Sequence, residues 1–452
     1  MHVADGQTFR SLSENVGRFN LRGRKFLIPE MNRIGAHLLA GALRSFGIDA
    51  LVMETYEGLD LGKAFTSGKE CFPCQVTTGD ILHFIEKEKA RLGSRFEPSD
   101  YVYFMPESTG PCRFGMYNKY QRIVLDSFPE LRTLKIASLT TDNSYSVEGL
   151  IERERAGQLR KVAYFSMVIG DVLDRLLWRI RPYEREPGAA DRFIEESMRA
   201  MAHTFEAWGK RLDFDKILDA LESIVRKGRS IIDPAIDQKP LIGIVGEIYL
   251  RSHVRSNQDI IRMLEHYGAE VVNASITEWV DFTTYDKVRD ARIGLENSLK
   301  LFRFDKAKAF LKQLLRYGGD LCYQYLKRDK AYRRVRTIMD VASDHRVSHL
   351  DKMLEKSGLY SFSLGTEACL SIAGIMAYVQ QGFNGVVNVY PFTCMPSTVT
   401  SSIIKPVITG RRIPYLDAPY DGTFQPGRET AIRTFMYQAY QHFERHGRPV
   451  HH

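Results

Sequence analysis

The chain has 452 residues, 44% hydrophobic and 26% charged, with 63 Lys and Arg against 55 Asp and Glu (net charge +8) and six cysteines. That length exceeds one small core and predicts two or three domains, while so few cysteines exclude an exported disulfide scaffold. The basic residues are scattered among acids rather than gathered into a nucleic-acid-binding arm, and the longest apolar stretches, 162–169 and 371–379, fall far short of the roughly 20 residues that cross a bilayer.

No N-terminal pattern of basic residues, apolar run and cleavage site is read, so the expectation is a cytoplasmic protein without membrane or nucleic-acid partners. The diffuse positive charge reads as solvated helix faces, or as attraction for an anionic ligand or acidic partner. Residues 25–54 form a βαβ pattern. Apolar Phe26, Leu27 and Ile28 are followed by a turn through Asn32 and Gly35. Leu38, Leu39, Ala42, Leu43 and Phe46 then recur at helical spacing, Gly47 stops the helix, and 50–53 restores a strand. A further strand is expected at 101–105.

Residues 157–230 favour helix almost throughout. Val162, Phe165, Val168, Val172 and Leu176 make one stripe, Pro182 and Pro187 break it, and a second helix is predicted over 190–227. Pro234 and Pro240 mark the entry to a second α/β unit. There 241–245 reads as a strand, Ile260, Met263, Leu264 and Tyr267 as a helical stripe, Gly268 as its stop, and Val271 and Val272 as the next strand. A helical block over 304–357, strands at 386–390 and 413–416, and a final helix over 428–445 follow. The chain is therefore read as α/β, with parallel-sheet domains over 1–156 and 236–452 joined by a helical connector over 157–235.

Four cysteines stand in Pro-, Gly- or Thr-rich surroundings: Cys71 and Cys74 in Cys-Phe-Pro-Cys, Cys112 in Gly-Pro-Cys-Arg, and Cys394 in Pro-Phe-Thr-Cys-Met-Pro. Ligands of open α/β sheets bind outside the carboxyl ends of strands, and all four cysteines are predicted on loops leaving strands. Soft thiolates brought together suit an iron–sulfur cluster or zinc. A single CxxC with two isolated partners favours a cluster between domains over zinc, which is usually held by paired short spacings. The remaining reading makes some of them small buried residues. Cys322 and Cys369 lie in helical patterns and read as buried thiols, with Cys369 the additional ligand if six cysteines serve two cubanes.

Lys69 and Arg113 adjoin proposed ligands and would stabilise thiolates, or are plain loop charges. Gly68, Gly110 and Gly115 would let backbone N–H groups approach cluster sulfides, or simply make turns. Glu247 directly follows a strand and is either a proton carrier or a helix-start carboxylate. Asp421-Gly422 would hold the mouth of a cleft or form a turn.

With these residues in place, the chain resembles the 2-hydroxyacyl-CoA dehydratase and benzoyl-CoA reductase superfamily, and most of all its acyl-CoA dehydratase activase-related branch. The resemblance rests on Gly68-Lys-Glu-Cys-Phe-Pro-Cys74, Thr109-Gly-Pro-Cys-Arg-Phe-Gly-Met-Tyr-Asn118, Gly246-Glu-Ile-Tyr-Leu-Arg251 with Asn257, Pro391-Phe-Thr-Cys-Met-Pro396 and Tyr420-Asp-Gly422. It implies flavodoxin-like (Rossmann-like) domains holding a [4Fe-4S] cluster, or in one subgroup a double cubane. Cys71, Cys112 and Cys394 match the three ligand positions. Cys74 is an extra thiol, and as a fourth ligand it would close the cluster and favour electron transfer over substrate ligation. The resemblance also implies an ATP-dependent activase of the BadF/BcrA type as electron donor, anaerobic metabolism, an acyl-CoA or other small-molecule substrate, and a homo- or hetero-oligomer. Lacking a GxxxxGK[ST] loop, the chain would be the acceptor or relay. The alternatives are an iron–sulfur reductase or dehydratase component and a non-catalytic scaffold subunit with a structural cluster or zinc site.

Overall fold

Short apolar runs buried on both faces form parallel strands, and here they build two sheets. The computed structural model describes residue 12 and residues 14–448. The first sheet contains β1 (Val16–Gly17), β2 (Lys25–Ile28), β3 (Asp49–Val52), β4 (Tyr101–Phe104) and β5 (Lys135–Ala137), in the order β1-β5-β4-β2-β3. The second contains β6 (Leu241–Gly246), β7 (Glu270–Asn273), β8 (Gly385–Pro391) and β9 (Tyr415–Tyr420), in the order β7-β6-β8-β9. Every pairing is parallel. Setting β1 aside, both sheets run second, first, third, fourth, the start of the flavodoxin order, and the winding reverses between β2 and β4 and again between β6 and β8. The chain is thus an α/β protein with two flavodoxin-like sheets.

The helices are α1 (Arg33–Arg44), α2 (Leu59–Ala64), α3 (Phe72–Leu92), α4 (Tyr117–Asp126), α5 (Arg153–Ile180), α6 (Ala189–Trp208), α7 (Phe214–Arg229) and α8 (Ile248–Ser252), continuing with α9 (Ile260–His266), α10 (Ile276–Lys300), α11 (Phe304–Arg336), α12 (Val347–Ser357), α13 (Thr366–Gln381), α14 (Met395–Arg411) and α15 (Arg428–His446). Asn32 caps α1 by accepting the Gly35 N–H at 2.6 Å, and Leu38, Ala42 and Leu43 bury its inner face. Against that face lie α5 and α6, so the middle helices share one core with the first sheet. In α5 the predicted stripe of Val162, Phe165, Val168, Val172 and Leu176 is fully buried, each side chain contributing about 1.5–3 kcal/mol relative to exposure. Leu59, Phe72 and Val76 from the first half enter the core of the second sheet, and the two halves close on each other.

The structure departs from the sequence reading at several elements. The helix expected over 190–227 is two helices, because Gly209–Arg211 form a 3-10 turn, Leu212 adopts a left-handed backbone and Asp213 caps α7. The helix α10, outside the predicted blocks, carries a polar buried face of Thr277, Glu278, Asp281, Thr283 and Thr284. Cys71 and Cys74 are not in a loop: Cys71 is the N-cap of α3 and Cys74 lies in its first turn. Cys322 is exposed rather than buried. Among the described residues, no helix is long and apolar enough to cross a membrane.

Candidate functional site

Three of the predicted cysteines each stand at the start of a helix. Cys71 caps α3, Cys112 precedes the 3-10 turn Arg113–Met116 that leads into α4, and Cys394 caps α14. Cys112 and Cys394 hold equivalent places in the two sheets, each in the segment leaving the third strand, beside the point where the winding reverses. Helix starts present free N–H groups and the positive end of the helix dipole, a setting that stabilises thiolates.

The loops are tied together by one side chain. Arg113 donates from Nη1 to the Lys69 carbonyl at 2.7 Å and from Nη2 to the Thr393 carbonyl at 2.9 Å. One guanidinium therefore joins the Cys71, Cys112 and Cys394 segments across both halves of the chain. Two residues there have strained backbones, Cys71 at φ 95° and Thr393 at φ 64°, and the region around them holds the strain in place.

Electrostatics place the cysteines relative to one another. Cys112 and Cys394 both feel the charges of Cys71, Glu247 and Glu367, and Cys71 feels Glu247 and Arg113. Burial, reinforced by Glu247, pushes the Cys71 thiol up to about 11 against the lowering effect of Arg113 and a hydrogen bond with Tyr117. Burial and then Glu367 push Cys112 up to about 12, and burial first, then Glu367, raises Cys394. Cys74, fully buried, feels Cys71 but faces Thr78, whose hydroxyl lies 4.0 Å from its sulfur. Cys369 is placed elsewhere: it packs in the second core, its thiol donates to the Thr366 carbonyl at 2.9 Å, and the charges it feels are Asp286 and Asp351.

Glu247 directly follows β6, caps α8 and accepts the N–H groups of Tyr249 at 3.1 Å and Leu250 at 2.9 Å. The chain reaches this position through Gly246, at φ 121°, where an added Cβ would stand 2.0 Å from the Val389 carbonyl oxygen. Sequence reasoning missed Glu367, whose signal was a lone carboxylate at the start of the apolar run of α13. It is buried, follows the left-handed pair Gly365 (φ 64°) and Thr366 (φ 67°), and accepts the Ile248 N–H at 3.0 Å. Burial first, then the neighbouring Glu247, pushes its carboxyl up to about 8.

The cysteine segments separate two voids. On the inner side, Cys112, Glu247 and Glu367 line a mostly apolar cavity of about 360 Å³; on the outer side, Lys63, Lys69, Arg113, Phe392, Thr393 and Asp421 line a cleft of about 460 Å³ in which charged groups stand among aromatic side chains. Lys63 donates to the Gly422 carbonyl at 3.2 Å and helps hold that mouth together. Gly110 is exposed with nothing near an added Cβ, whereas an added Cβ at Gly115 would stand 2.6 Å from the Ser108 carbonyl oxygen.

Among the described residues, no three Cys, His, Asp or Glu side chains are grouped so as to hold a single metal ion. A zinc ion with bonds of about 2.3 Å needs its thiolates about 3.8 Å apart, whereas a cubane presents separate irons to separate thiolates and accepts wider spacing. Cys71 acts electrostatically on both Cys112 and Cys394, and Arg113 bonds to the segments carrying Cys71 and Cys394. The chain matches no protein-family model and no curated protein.

Proposed function

We propose that the protein is an iron–sulfur protein of a low-potential electron-transfer system, with a [4Fe-4S] cluster held by Cys71, Cys112 and Cys394. The observation that carries this reading is the Arg113 clamp, which joins three cysteine segments from two sheets at three helix starts. When bound, such a cluster supplies reversible one-electron chemistry. The chain's own contribution is to collect the thiolates, offset their charge with Arg113 and helix N-termini, and keep bulk water from the inner side.

Cys74 is the fourth neighbouring thiol. Its contact with Thr78 within α3 supports a three-thiolate site in which one iron keeps an open position, with Cys74 held in reserve as a closing ligand. The outer cleft, with Lys63, Lys69, Arg113 and the exposed Phe392, supports the approach of an electron-donating partner from that side. On the resemblance described above, that partner is an ATP-dependent activase, and the chain is the acceptor component of a dehydratase-like or reductase-like system.

Anaerobic reconstitution with iron and sulfide tests the reading. A cluster bound by wild type and lost in Cys71→Ala, Cys112→Ala and Cys394→Ala supports it, with the reduced protein observed by electron paramagnetic resonance. Bound zinc without iron sinks it.

A further inference from the structure

The helix α11 carries a row of apolar residues on its outer face. Phe304 is 67% exposed, Leu311 46%, Leu315 70% and Leu326 60%, and Cys322 is exposed in the same row. At 3.6 residues per turn these side chains share one face with Lys308, Gly318, Gly319, Asp329 and Arg333, at the steps of three and four residues that mark a coiled-coil seam. The helix is held from its opposite side, where Gln324 donates to Thr284 at 3.0 Å, Arg328 pairs with Asp281 at 2.6 Å, and Ala331 and Val335 are buried. Among the described residues nothing covers the middle of the row: an added Cβ at Gly318 or Gly319 would meet nothing within 4 Å.

The spacing along this face is the same read from either end. A second copy of α11, turned about a two-fold axis between Gly318 and Gly319, runs antiparallel to the first and sets Leu311 against Leu326, Leu315 against Cys322, and Lys308 against Asp329. Apolar groups then meet apolar groups, and a cation meets an acid. Arg333 of each copy comes to the Phe304 ring of the other. The glycines, with no side chains, let the two helices approach at the crossing. Asp329 also pairs with Arg346 at 3.0 Å, yet its side chain is still 38% exposed. A lipid surface would suit the basic, apolar tip around Leu301, Phe302 and Arg303, but it gains nothing from an acid and a glycine pair on the same face.

We propose that the outer face of α11 is a dimer interface, where two copies of the chain pair antiparallel about Gly318 and Gly319. The same patch serves both copies, so Lys308 and Asp329 form two equivalent ion pairs, one on each side of the axis. From Phe304 to Arg333 the seam runs about 44 Å, the length of roughly four heptads. None of its residues lines the outer cleft, so pairing and the approach of an electron-donating partner draw on different side chains. The pairing does not depend on the iron–sulfur reading.

Analytical ultracentrifugation of the purified full chain, with and without iron, tests this. The expected result in both forms is a species of twice the chain mass that dissociates on dilution. Leu315→Glu, at a largely exposed position, should keep the circular dichroism of wild type and weaken the dimer about tenfold or more. Lys308→Asp, which sets acid against acid, should weaken it likewise, and Lys308→Asp combined with Asp329→Lys should bring the affinity back to within about threefold of wild type. Oxidation of Leu315→Cys should join the new thiol to Cys322 of the second copy, and adding Cys322→Ser should abolish that disulfide. A wild-type monomer at about 100 μM, a dimer unchanged by Leu315→Glu, or an interchain disulfide that survives Cys322→Ser would overturn the proposal. So would a wild-type monomer that sediments with vesicles of phosphatidylcholine and phosphatidylglycerol, which would give this face to a lipid surface.

Discussion

Arg113 donates to the Thr393 carbonyl at 2.9 Å, and this bond spans 280 residues of sequence and the boundary between the two sheets. With its second bond to Lys69, the planar guanidinium fixes the distance between the segments that carry Cys71 and Cys394. Lysine has no fork and cannot hold both carbonyls in one geometry. Arg113→Ala and Arg113→Lys are therefore expected to lose about 1 kcal/mol of stability, modest because the side chain is partly exposed, and a larger share of reconstituted iron. Denaturant titration and iron analysis on the same samples check this. Full iron content in Arg113→Lys would show that the clamp is dispensable.

Gly246 lets β6 pass directly into Glu247 against β8. An added Cβ would stand 2.0 Å from the Val389 oxygen at a backbone angle that L side chains avoid. Gly246→Ala should cost on the order of 3 kcal/mol and shift Glu247 out of its cap. Urea unfolding gives the cost, and a midpoint equal to wild type would contradict it.

A buried pair across the two halves predicts a pH dependence. His253 Nε2 lies 3.0 Å from Thr55 Oγ1, while its Nδ1 accepts the Ser256 N–H at 3.1 Å. Thr55 gives its hydroxyl proton to Asp80, so Nε2 donates to Thr55 Oγ1 and Nδ1, which also lies 2.6 Å from the Ser256 hydroxyl, is left as the acceptor. Burial, aided by Arg255, lowers this imidazole to about 3. Below pH 6.5 the unfolded chain takes up a proton that the folded chain refuses, so stability is full above 6.5 and falls by roughly 1.4 kcal/mol per pH unit towards 3. His253→Gln, which keeps a donor facing Thr55, should flatten this part of the profile in denaturation followed from pH 7 to 4. An unchanged slope would mean that other groups set the acid limit.

The two βαβ units at 25–54 and 241–273 were legible because each has a short apolar strand, one helical stripe and a glycine stop, all signals carried by neighbouring residues. The helix α10 was not legible, because its inner face is polar and is satisfied from far away. Asp281 accepts from Tyr164 at 2.8 Å and from Arg328 at 2.6 Å, and Asp171 of α5 accepts the first N–H groups of α10. Periodicity of apolar residues cannot report such a face. At the site, the strand-exit positions of Cys112 and Cys394 were readable, and Pro73 at the first turn of α3 was an unused sign that Cys71 opens a helix. The pairing of Glu247 with Glu367, 120 residues apart, and the reach of Arg113 to Thr393 depend on the packing of the two halves, which no local pattern encodes.

The cysteines should divide cleanly on substitution. Cys322→Ala, at an exposed position, is expected to leave iron and stability unchanged. Cys369→Ala should retain iron while losing about 1 kcal/mol from a buried packing site. Cys74→Ala should retain a cluster that binds an added external ligand, observed as a shift in its paramagnetic resonance spectrum; loss of the cluster would make Cys74 an obligatory ligand.

The central claim is that cysteines from both sheets hold one cluster, and iron and acid-labile sulfide analysis of anaerobically reconstituted wild type and Cys394→Ala tests it most directly. The account predicts about four of each per wild-type chain and near-complete loss in Cys394→Ala. Full iron and sulfide in Cys394→Ala would contradict it.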